Sequence, residues 1–111
     1  LTDNYTVMKE ITVQELQKMK ENGEDFQLID VREDFEYEVS NLGGELIPLG
    51  GVLIESNKID KNKPVIVMCR SGRRSAAAIA QLEQKGFSNL YNLKGGIVAW
   101  AEEIDPEMDI Y

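Results

Sequence analysis

Apolar and polar positions alternate between short β-like runs and stretches with helical spacing. The run Val65–Cys69 (VIVMC) has no polar interruption and fits a parallel strand buried on both faces. Phe26–Val31 (FQLIDV) reads as a second apolar strand. Glu45–Ile47 is a short one stopped by Pro48, Asn89–Leu93 (NLYNL) alternates as a last one, and Lys9–Ile11 can add a short first one. Between them, Thr12 reads as an N-cap with Glu15 three residues on, a capping box, and Ile11 with Leu16 supplies the staple. That helix runs to about Glu21 and ends at Asn22-Gly23. Asp34–Val39 predicts a short acidic helix, Asn41–Gly44 a turn, Leu49–Ser56 a short helix or turn, and Asn57–Lys63 a polar connector. Ser75–Lys85 has apolar Ala76, Ile79, Ala80 and Leu82 at helical spacing, with Gly86 as cap and Phe87 folding back. Lys94-Gly95-Gly96 opens a final helix, Ile97–Ile104, with Trp100 as core anchor. Leu1–Met8 reads as a lead-in and the acidic tail IDPEMDIY as loosely packed. Strands alternating with helices predict an α/β fold: an open parallel sheet with helices on both faces.

The chemistry gathers after the Val65–Cys69 strand. The only cysteine, Cys69, stands at its carboxyl end, followed by Arg70, Ser71, Gly72, Arg73 and Arg74, and then by the helix that Ser75 opens. Thiolate is the reactive form of cysteine, and nearby cations or a helix N-terminus favour it. A tight loop turns successive N–H groups inward as an anion cradle, and Gly72 can take positive φ there. The arginines add forked donors suited to tetrahedral oxyanions. Alone, Cys69 would be read as a small hydrophobe ending a core strand. Three arginines in the next five positions argue for a nucleophile. Asp30 and Arg32, at the end of the second apolar strand, could approach the site; an ion-pair network bracing that strand-to-helix turn is the preferred reading.

CRSGRRSAAAIAQL, preceded by LIDVREDFEYE and followed by GFSNLYNLKGGIVAW, resembles the rhodanese (thiosulfate sulfurtransferase) homology domain in its single-domain form, from about Ile11 to Trp100. The resemblance implies five strands in the order 1-5-4-2-3, with the catalytic loop after the fourth. It also implies a sulfurtransferase in which Cys69 carries sulfane sulfur as a covalent persulfide, with no other cofactor. Arg70, Ser71, Gly72, Arg73, Arg74 and Ser75 would hold the substrate, Arg70 and Arg74 touching the anion and Arg73 able to point outward. Many relatives carry Gly-His-Ile where this chain reads NLGGELIP, a departure that leaves the chemistry untouched. One rival is a cysteine phosphatase or arsenate reductase of this fold. Such sites need arginine six positions after the cysteine, where this chain has Ser75. The other is a non-catalytic rhodanese-like binding module.

Composition narrows the partners. At 111 residues, 42% apolar and 29% charged, the chain reads as one ordinary globular domain, 1–111, with no apolar run of membrane length. One cysteine and no histidine argue against a disulfide framework or a zinc site, and make a cytoplasmic setting the default. A net charge of -8 argues against nucleic acid and sets off the arginine cluster as a pocket for a small anionic sulfur donor. GGELIPL and GGIVAWAEEIDPEMDIY resemble the rhodanese domains that close molybdopterin-synthase-sulfurylase-type adenylyltransferases. That implies a ubiquitin-fold sulfur carrier or a cysteine desulfurase as partner. The first residue, Leu1, and an end soon after the last helix agree with a C-terminal domain cut from a longer protein; a free-standing sulfurtransferase fits equally.

Overall fold

The computed structural model of the protein describes residues 8–111, so the expected lead-in lies outside them except for Met8. In chain order the elements are β1 (Glu10–Ile11), α1 (Val13–Glu21), β2 (Gln27–Asp30), α2 (Asp34–Val39), β3 (Glu45–Leu46), β4 (Val65–Met68), α3 (Arg73–Gln84), β5 (Leu90–Leu93) and α4 (Gly96–Glu103). Two 3-10 turns, Leu49–Gly51 and Ser56–Lys58, carry the chain from β3 towards β4. The strands form one parallel sheet in the order β1-β5-β4-β2-β3. The α/β expectation and the strand order both hold.

β4 is central, with Val65 beside Gln27 and Leu90, and Val67 beside Ile29 and Asn92. Its pleat divides the core. Val65, Val67 and Cys69 face α3, packing with Ala78, Ile79 and Leu82. Ile66 and Met68 face the other way, onto Val13 and Leu16 of α1 and Ile97 of α4. Both faces of β4 are therefore covered, which explains why its sequence is apolar throughout rather than alternating. Burying each such side chain contributes about 1.5–3 kcal/mol.

Local signals set the ends of α1. The Thr12 hydroxyl accepts from the Glu15 N–H at 3.1 Å and the Glu15 carboxylate accepts from the Thr12 N–H at 2.8 Å. Three expectations need correction. First, α3 begins at Arg73 rather than Ser75, because Gly72 at φ 102° takes the cap position and draws two arginines into the first turn. Its inner face is Ser75, Ala78, Ile79 and Leu82, while Ala80 is exposed. Second, Trp100 is half-buried at the rim of the α1–α4 core, with the Lys20 ammonium 5.8 Å from its ring centre. Third, the tail packs. Met108 and Ile110 sit against that core, and the Tyr111 ring meets Phe35 of α2 edge-on at 4.8 Å.

Candidate active site

Cys69 follows the last residue of β4 and is fully buried. The chain there must turn sharply to enter α3, and the left-handed Gly72 makes the turn. The turn aims the Gly72 N–H at Sγ, 3.0 Å away, and brings the Ser75 hydroxyl to 3.3 Å. Burial by itself pushes the Cys69 thiol up. Hydrogen bonds from the Ser75 hydroxyl and from the N–H groups of Ser75, Gly72 and Ser71 outweigh it, leaving the thiol below its ordinary value. The sulfur therefore lies in a ring of amides at the N-terminus of α3, an arrangement that stabilises anionic sulfur without a histidine.

The turn from β5 into α4 supports this ring from behind. The N–H groups of Ile97 and Val98 donate to the carbonyls of Cys69 (3.0 Å) and Arg70 (3.1 Å). Such close docking requires Gly96: a Cβ there would lie 2.5 Å from the Cys69 carbonyl oxygen. Asn92 of β5 reaches across to the same loop. Its amide N–H donates to the Gly72 carbonyl at 3.0 Å, and its carbonyl oxygen accepts from the Ser75 hydroxyl at 2.5 Å.

The arginines go to separate places. Arg74 makes a two-pronged pair with the buried carboxylate of Glu36 on α2, at 2.7 and 2.8 Å. The Arg74 fork, with the Glu33 N–H behind it, holds the Glu36 carboxyl down at about 2. Arg70 is exposed and donates to the main-chain oxygen of Tyr111 at 2.7 Å. Arg73 is exposed and, among the described residues, forms no ion pair. Ser71 is exposed at the crest of the loop. Asp30 and Arg32 form a buried ion pair at 2.8 Å, and Arg32 also donates to the Ser40 carbonyl at 2.9 Å. That network ties the end of β2 to α2. Among the described residues no cluster of side chains could hold a metal ion.

Cys69, Gly72 and Ser75 thus meet at one point, while Arg74 acts through a partner, Glu36, that sequence reasoning missed. In the sequence Glu36 is one acid among several on α2 and carries no signal of its own. Asn92 was missed too, although a polar residue on the inner face of a buried strand is itself a signal, since such groups need partners.

The rhodanese-like domain family matches residues 12–103. The chain belongs to this family. It is 35% identical over 96 residues to a sulfurtransferase of Allochromatium vinosum, covering 86% of this chain and 90% of that protein. It is 38% identical over 106 residues to the probable adenylyltransferase/sulfurtransferase MoeZ of Mycobacterium tuberculosis; the match covers 91% of this chain and 26% of MoeZ. The chain thus spans about a quarter of that longer relative. Its fold superimposes on a rhodanese-like domain protein from Staphylococcus aureus with a TM-score of 0.79 and 31% identity, covering 94% of this chain and 99% of the other. Family and relatives together support sulfur transfer as the general activity.

Proposed function

We propose that this rhodanese-like domain moves sulfane sulfur through a persulfide on Cys69. The observation that carries the reading is the Gly72 N–H 3.0 Å from Sγ at the start of α3, which gives the lone thiol an electrostatic partner in place of a base. The Cys69 thiolate attacks the outer sulfur of thiosulfate. A new S–S bond forms, the old one breaks, and sulfite leaves with the bonding pair. A nucleophile such as cyanide then takes the outer sulfur as thiocyanate, and the electron pair of the cleaved S–S bond restores the thiolate. Arg70 and Arg73, exposed on the same loop, are the cations available to an incoming anion. A protein persulfide, as a cysteine desulfurase would carry, can replace thiosulfate as donor. A ubiquitin-fold sulfur carrier can replace cyanide as acceptor when its C-terminal carboxylate is adenylated. The outer sulfur then attacks that carbonyl, AMP leaves, and two equivalents of an external thiol reduce the remaining S–S bond to the carrier thiocarboxylate and the Cys69 thiolate. The names of two relatives, MoeZ and the putative sulfur carrier protein YrkF of Bacillus subtilis, favour such protein partners. A reducing, cytoplasmic setting suits a reaction that needs its thiol free.

The test is intact mass. Thiosulfate should add one sulfur atom to the protein, cyanide should remove it, and Cys69→Ser should take up none. Uptake of the same sulfur by Cys69→Ser would overturn the assignment. So would efficient Cys69-dependent release of phosphate from aryl phosphates, which the phosphatase reading requires.

A further inference from the structure

Three buried groups, the Cys69 sulfur, the Ser75 hydroxyl and the Asn92 amide, share too few protons once the sulfur ionises. The Asn92 side chain is oriented by its own hydrogen bond: its N–H donates to the Gly72 carbonyl, and the flipped amide would set oxygen against oxygen. Its carbonyl oxygen therefore faces the Ser75 hydroxyl at 2.5 Å, and the only proton available between those two oxygens is the hydroxyl's own. Yet Ser75 is also the neighbour of Cys69 Sγ, at 3.3 Å. One hydroxyl proton cannot serve both.

The geometry points to Asn92 as a positioning residue that holds the Ser75 proton away from Sγ while Cys69 is a thiol and yields it when the sulfur ionises. In the thiol state every group is satisfied in sequence. The S–H donates to Ser75 Oγ, and the Ser75 O–H donates to Asn92 Oδ1. On ionisation the thiol proton leaves to a solvent base, and the Ser75 hydroxyl rotates to donate to the thiolate. Asn92 Oδ1 is then left without its donor in a residue only 4% exposed, a cost that opposes ionisation. The Gly72 N–H can donate to Sγ in both states. When charge moves to the outer sulfur of a persulfide, the inner sulfur needs the hydroxyl less and the proton can return to Asn92. That last step rests on the persulfide reading; the thiol–thiolate switch does not. The surrounding charges do not duplicate the effect. From the loop and the start of α3 come Arg70 and Arg73, both exposed, the first donating to the Tyr111 main-chain oxygen. From α3 and α2 come Arg74 and Glu36, already paired with each other; from β2, the Asp30–Arg32 pair; from β5, uncharged Asn92; from α4, Gly96 and Ile97.

Because Cys69 is the sole cysteine, its ionisation can be followed without interference, as iodoacetamide alkylation against pH. Asn92→Ala should free the Ser75 hydroxyl for the thiolate and move the profile down by about one pH unit, roughly tenfold faster alkylation on the acid side. In a Ser75→Ala background the same Asn92 change should move nothing. An equal shift in both backgrounds would mean that Asn92 acts only by holding the Gly72 carbonyl, and the proposal fails; it fails likewise with no shift or an upward one. Should Asn92→Ala not fold, the infrared S–H stretch of the native protein decides. A stretch lowered by donation to Ser75, and released in Ser75→Ala, supports the relay, and a free S–H in the native protein overturns it. Alkylation needs no sulfur donor. Expected shifts without sulfur uptake would leave the relay standing and remove the persulfide reading. Sulfur uptake with an unmoved profile would remove the relay alone.

Discussion

Two strand-to-helix turns lie side by side in this protein and are built alike. β4 enters α3 through Gly72 at φ 102°, and β5 enters α4 through Gly95 at φ 78°. Each helix therefore begins with a left-handed glycine and N–H groups that have no partner within the helix. They differ in what those groups meet. At α3 an N–H meets a sulfur atom; at α4 the N–H groups of Ile97 and Val98 meet the carbonyls of Cys69 and Arg70. One turn presents its polarity to a reactive atom and the other spends it holding the first in place. The same local geometry thus makes a site or a brace, depending on whether a side chain or a main-chain carbonyl lies opposite.

The largest effect should come from breaking the brace. Gly96→Ala would place a Cβ 2.5 Å from the Cys69 carbonyl oxygen at φ 61°, so either the loop or α4 must shift. The expected cost is about 3 kcal/mol or more in chemical denaturation, together with a large loss of sulfur transfer. Gly72→Ala meets nothing nearer than 3.6 Å and suffers only its φ, about 1–3 kcal/mol. If Gly72→Ala proves the more destabilising, the division between site and brace is drawn the wrong way round.

A smaller effect sharpens the comparison by pH. Glu36, which fixes Arg74 at the first turn of α3, has its folded value at about 2, below the ordinary 4.5. The folded state therefore binds fewer protons than the unfolded chain between those values. The stabilisation is complete above about 4.5 and is lost as pH falls towards 2, with up to about 3 kcal/mol at stake. Stability curves of native protein and Glu36→Gln should differ at neutral pH and converge on acidification; parallel curves would show that the pair adds nothing. The α4 turn, whose hydrogen bonds to the Cys69 loop are main-chain only, should show no counterpart.

The smallest expected effect concerns one of the two exposed loop cations. Arg70→Ala should raise the KM for thiosulfate a few-fold, in line with about 1 kcal/mol for a solvent-screened charge, and the difference should shrink in high salt. A kcat loss that salt leaves untouched would instead place Arg70 against the reacting atoms.

Much of this arrangement was legible beforehand because its causes are local or periodic. Thr12 and Glu15 cap α1 as their spacing requires, and the unbroken VIVMC run becomes the doubly covered central strand. Legibility failed where two elements distant in sequence compete for the same group. Gly72 was legible as the residue that turns left-handed, but not as the cap itself: that α3 starts at Arg73 and not at Ser75 depends on how Gly72 docks beside Gly95. The tail read as loose because it is short and acidic; that Met108 and Ile110 join a core drawn from α1, β4 and α4 is set by residues distant in sequence.

The sequence by itself determined the order of strands and helices, the lone thiol at the end of an apolar strand and the cationic loop after it. These are consequences of residue type and spacing along one stretch of chain. Only the tertiary structure decided which donors the sulfur keeps and which cations stay free. Glu36 removes Arg74 from the loop across 38 residues, and Asn92 claims the Ser75 hydroxyl across 17. A hydrogen-bonding group has few protons and lone pairs, and which neighbour takes them is settled only when the sheet has brought the competitors within 3 Å or so.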